Sequence, residues 1–187
     1  YVEVRRDSNG KIKETIIFIL LKDKPSLTVP IPLTHICMAE FGQKYNVKLP
    51  LWAQKGMGQL NGTIDQIKER IAEIKPILDN NEPIYFSKGL MEMDEDSYTK
   101  LDDGKKRLYD NCSLIMCLMI RKEFGQDSYL KLMKGTTEAP PEIALKNVLK
   151  FENYNLFDKS FKRYITDIAR DIVAGKTPDN YLQIKEK

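Results

Sequence analysis

The stretch from Lys105 to Phe124 runs for twenty residues without a glycine or proline and then meets Gly125. That pattern predicts one long helix over 105–124, with Cys112, Leu114, Ile115, Cys117, Leu118 and Met119 as core residues. Three more helices are predicted behind it, at about 128–133, 141–149 and 156–174, so the C-terminal part reads as all helical. No apolar run reaches the roughly 18 residues that a membrane span requires. A chain of 187 residues can bury a core without disulfide or metal staples, and one domain is expected.

The first part of the chain reads differently. Val2 and Val4 alternate with Glu3 and Arg5, Asp7-Ser8-Asn9-Gly10 supplies turn chemistry, and Ile12 to Leu21 is β-branched and apolar. This predicts a hairpin whose second strand, with Ile16 to Leu21 apolar on both faces, sits inside a sheet. Ser26 to Val29 is a short extended stretch. Pro30 and Pro32 then delay any helix until Pro32 can serve as its first residue. Leu33, Ile36, Cys37 and Phe41 would form that helix's core face, closed by Gly42 or Asn46. A short helix interrupted by Gly56 and Gly58 is expected over 51–60, then one capped by Thr63 and carrying Ile64, Ile67, Ile71 and Ile74, with Pro76 at its end or in its last turn. The expected domain is therefore α+β: a strand-rich lobe over 1–31, core helices over 32–75, a long loop over 76–104 and a helical lobe over 105–187.

Charge and cysteine usage narrow the function classes. Thirty basic and 27 acidic residues leave a net charge of +3, interspersed along the chain, which argues against a nucleic-acid partner. Cys37, Cys112 and Cys117 show no Cys-x-x-Cys spacing, so they read as buried thiols and not as a disulfide framework or thiolate zinc site. His35 is the only histidine, and the plain reading is a helix side chain making one hydrogen bond. Cys37 lies two residues from it, on a different helix face, and so is not a nucleophile activated by it. Glu92, Asp94, Glu95 and Asp96 lack the glycine and terminal bidentate glutamate of a calcium loop and read as solvated acids.

Two segments carry a resemblance. Ile31-Pro32-Leu33-Thr34-His35, followed by Leu49-Pro50-Leu51-Trp52-Ala53-Gln54-Lys55-Gly56-Met57-Gly58-Gln59-Leu60, resembles the active-site region of the gluzincin metallopeptidases, nearest to the bacterial peptidase MA-like domain. That family carries His-Glu-Leu-Thr-His on one helix and a Leu-Pro-x-Trp-x-x-Glu-Gly-x-x-Glu run on the next. The segments 120–133 and 157–168 look like its later helices, without the usual tryptophan in the last, so the resemblance spans about residues 27–170. It implies a zincin-like α+β fold, an extracytoplasmic setting and a cleft, with Trp52 and Tyr109 as candidate lining residues.

Residue by residue, the resemblance puts Ile31 at the first zinc-ligand position, Pro32 at the general base, His35 at the second ligand, Lys55 at the third, and Gln59 at the supporting acid. Only His35 keeps its chemistry. A catalytic zinc needs three protein ligands, an open position and a nearby base. Ile31 precedes a proline and is held extended, so it cannot share a helix face with His35. Lys55 would set an ammonium where a cation belongs. The resemblance therefore implies an inactive metallopeptidase-like domain, a binding or structural module for peptide or protein, with no metal or cofactor. Two alternatives stay open: a metallohydrolase built from His35 and carboxylates of the 92–96 segment, and a helical interaction domain with accidental similarity. The start at Tyr1-Val2-Glu3-Val4 shows no signal-peptide pattern.

Overall fold

The computed structural model describes residues 2–6, 12–17, 34, 36–38, 40, 42–43 and 48–176. Strands β1 (Val2–Arg6) and β2 (Ile12–Ile17) pair antiparallel, Val2 opposite Ile17 and Val4 opposite Thr15, with an irregularity between Arg5 and Arg6. Nine α-helices follow over residues 51–173: α1 (Leu51–Leu60), α2 (Ile64–Ala72), α3 (Ile74–Asp79), α4 (Ser87–Met91), α5 (Glu95–Thr99), α6 (Asp103–Met119), α7 (Gln126–Glu138), α8 (Pro141–Leu149) and α9 (Tyr154–Val173). A π-helical turn, Ile120–Phe124, prolongs α6.

The expected α+β class is corrected to a helical one. Among the described residues extended pairing is confined to the two-stranded ribbon, and no residue from 48 to 176 lies in a strand. Alternation in sequence marks where two strands meet, but a sheet lobe needs further strands and a shared buried face. Among the residues whose burial is described, the core is built from the helices and Leu49. Helix α6 buries Tyr109 and every residue from Asn111 to Met119, and α1, α2, α4 and α9 all pack against it. A helix buried on all sides is the centre of the domain.

Local chemistry explains the boundaries. Pro50 ends the extended entry to α1. Thr63 and Gln66 form a reciprocal capping box at α2, Thr63 Oγ1 accepting from the Gln66 N–H at 3.3 Å and Gln66 Oε1 from the Thr63 N–H at 2.9 Å. Asp94, Asp102 and Asn153 cap α5, α6 and α9 through their side chains. Gly125, at φ +85°, stops the π turn and opens α7. Gly135 lets α7 approach α8, since a Cβ there would stand 3.3 Å from the Ala144 Cβ.

Three further expectations change. The 76–104 loop contains the end of α3 and the whole of α4 and α5. Pro76 does not end the helix begun at Ile64; it sits third in α3, where its missing N–H is not needed, and Glu73 closes α2 and opens α3. Residues 34, 36–38, 40 and 42–43 are helical as expected, yet Cys37 is exposed while Met38 packs against the core. A one-residue step turns a helix face by about 100°, which separates the exposed Cys37 from Met38. Asp7 to Gly10, Phe18 to Val29, Pro32, Leu33, Phe41 and Asn46 lie outside the described residues.

Candidate functional site

The run that carries the resemblance becomes α1, and α1 crosses α6 at close range. A Cβ on Gly56 would stand 2.4 Å from Cys117 Sγ and 2.5 Å from the Ser113 carbonyl oxygen, so only glycine fits there without a shift. Trp52 is fully buried beside this crossing, with its ring edge-on to Tyr129 at 5.9 Å. Its indole N–H has no hydrogen-bond partner among the described residues, so shape and ring contact hold it. The Cys117 thiol lies 3.8 Å from the Tyr129 hydroxyl and 4.0 Å from the Trp52 carbonyl. Burial pushes the Cys112 and Cys117 thiols up to about 12, so both are inert, as the sequence suggested.

Lys55 sits on the edge of the same crossing. Its Nζ lies 4.3 Å from the centre of the Tyr98 ring, a cation–π contact between α1 and α5. The Tyr98 hydroxyl donates to Asp110 Oδ1 at 3.0 Å and ties α5 to α6. Burial raises the Asp110 carboxyl above its ordinary value, opposed by the Tyr98 hydrogen bond and the positive charges of Lys55 and Arg70. Burial also raises the phenol of Tyr98. At the next residue of α6, the Asn111 amide donates to Glu73 Oε2 at 2.8 Å, Arg70 Nη1 donates to Asn111 Oδ1 at 3.4 Å, and Arg107 holds Glu73 in a two-pronged ion pair. The Arg107 hydrogen bond keeps the Glu73 carboxyl below the usual range despite partial burial.

The remaining site residues of the sequence reading fall as follows. Ile31, Pro32 and His35 lie outside the described residues. Lys55 is engaged by Tyr98 and the Asp110 charge, and Gln59 is half-buried on α1. Trp52 and Tyr109, expected to line a cleft, are each 0% exposed. Tyr109 lies edge-on to Tyr85 and Tyr98 and donates to the Leu90 carbonyl at 2.9 Å. Large aromatics flanked by apolar neighbours fill cores before they line clefts. Glu92 accepts from the Tyr154 hydroxyl at 3.0 Å, Asp94 caps α5, and Glu95 and Asp96 are exposed in its first turn. Among the described residues, no three His, Cys, Asp or Glu side chains converge as a metal site. An ammonium over a phenol ring and a neutral amide one turn on do not make a zinc donor set.

The open site is elsewhere. The π turn and α9 enclose a cleft of about 460 Å³ lined by Met119, Lys122, Glu123, Phe124, Ser160, Arg163, Tyr164 and Asp167. The four α9 residues stand at i, i+3, i+4 and i+7, one helix face, beside the core face of Phe157, Phe161, Ile165 and Ile168. That spacing was readable in the sequence, but nothing there says what faces it.

Compared with known protein families, with curated proteins and with solved structures, the chain gives no match.

Proposed function

We propose that this protein is a non-catalytic helical module that works by binding peptide or protein. The observation that carries the reading is the environment of Lys55: the residue at the third-ligand position is bound into the α1–α5–α6 seam by Tyr98 and faces the Asp110 charge. Next to it, Gly56 serves the helix crossing and Trp52 the core. Each kept feature of the run thus has a packing role, and the reading rests on that packing and not on descent from a peptidase. The half-exposed polar groups of the seam are mutually paired and hold no arrangement of nucleophile and base.

The test is elemental analysis of the dialysed protein together with hydrolysis assays on casein and peptides. The reading expects zinc far below one per chain and no chelator-sensitive cleavage. Near-stoichiometric zinc, or cleavage abolished by a chelator, contradicts it.

A further inference from the structure

The cleft between the π turn and α9 gathers both signs of charge around an apolar floor. Lys122 and Arg163 bring positive charge, Glu123 and Asp167 negative charge, Phe124 apolar surface beside the buried Met119, and Ser160 a hydroxyl, while the Tyr164 hydroxyl is buried. Asp167 accepts from Arg170 at 2.8 Å. Arg163 and Glu123 take part in no ion pair among the described residues, so one cation and one anion at the cleft are left to water or to a ligand. The volume lies in the range of small-ligand sites, roughly 300–1,000 Å³. The wall is a π turn, a widened helical geometry that recurs at functional sites.

We propose that this cleft binds a small zwitterion of amino-acid to dipeptide size with an apolar side chain. A simple anion would meet Glu123 and Asp167, and a simple cation would meet Lys122 and Arg163, so neither is favoured by the charge pattern. A zwitterion satisfies both. The Arg163 guanidinium presents a planar fork suited to a carboxylate, and Ser160, one helical turn before it, can add a hydroxyl donor. Glu123 takes the ammonium, and the side chain rests on Phe124. The proposal deepens the binding reading above and rests on it.

The experiment is an NMR titration of the labelled protein with the dipeptide leucyl-phenylalanine, its N-acetyl derivative and its C-terminal amide. Saturable shifts are expected at residues 122–124 and 160–167 with the free dipeptide. Blocking either end, or replacing Arg163→Met or Glu123→Gln, should weaken binding at least about tenfold. Both side chains are exposed, so neither variant should unfold the protein. Absence of saturable shifts up to about 10 mM, a blocked dipeptide that binds as well as the free one, or variants that bind like the parent would overturn the proposal. Cleavage of the dipeptide in the same spectra would instead overturn the non-catalytic reading, while shifts at those residues would still assign the cleft.

Discussion

Helix α6 and its π-helical continuation meet their neighbours in opposite ways. Against α1, the contact is so tight that Gly56 has no room for a methyl group, and Trp52 and Cys117 are sealed from water. Against α9, the π turn stands off and leaves an open cleft edged by Lys122, Glu123, Arg163 and Asp167. The recognisable sequence run lies at the closed contact, and the open one carries no motif. A run of tryptophan and glycines is as good a recipe for a helix crossing as for an active-site border, and only the partner helix distinguishes the two.

The closed contact can be broken most severely at Trp52. Trp52→Ala should cost about 3–5 kcal/mol, measured by denaturant unfolding. A loss below about 1 kcal/mol would mean that the indole is not a core anchor.

Gly56 sharpens the comparison. Gly56→Ala should cost about 1–3 kcal/mol because the new methyl meets Cys117 and the backbone of α6. Gly89→Ala, where the new methyl would meet the Tyr85 ring at an ordinary 3.4 Å, should instead be neutral or add up to about 1 kcal/mol through helix propensity. Equal costs at the two glycines would remove the argument that α1 and α6 are uniquely close.

The seam beside the crossing should reveal itself in the acid range. Glu73 has a lowered folded-state pKa, so its contribution is present above the unfolded value and is lost as pH falls through the folded one. Asp110 has a raised folded-state pKa, so the fold loses stability as pH rises through it and regains it on acidification. Asp110→Asn keeps an acceptor for the Tyr98 hydroxyl and removes the buried charge. Its stability relative to the parent should therefore be more favourable at pH 7 than at about pH 4. Unfolding at the two pH values checks this, and a reversed trend would show that Lys55 and Arg70 outweigh burial.

How much of this was legible depended on distance along the chain. The helix over 141–149, the bounds of the one over 51–60 though not its continuity through Gly56 and Gly58, the Thr63 cap and the Gly125 stop rest on local signals and were readable. Helix α5 had its signal too, Asp94 as cap with Glu95 and Asp96 in the first turn, but the density of acids made it resemble a solvated loop. The seam was hidden because its pairs join distant positions: Tyr98 to Asp110, Glu73 to Arg107 and Asn111, Lys55 to Tyr98. The sheet lobe was over-read, because the alternation of Val2 and Val4 and the apolar run after Ile12 speak only for one ribbon. Widening of α6 at Ile120–Phe124 left no trace in a stretch without glycine or proline.

Lys55→Glu puts the question of packing against catalysis most directly, because it sets an acid where the resemblance would place a third zinc ligand. The variant should melt below the parent, since the new carboxylate loses the Tyr98 ring contact and faces Asp110, and stoichiometric zinc should not move its melting temperature. A melting temperature at or above the parent's, or one raised by one equivalent of zinc, would contradict the account.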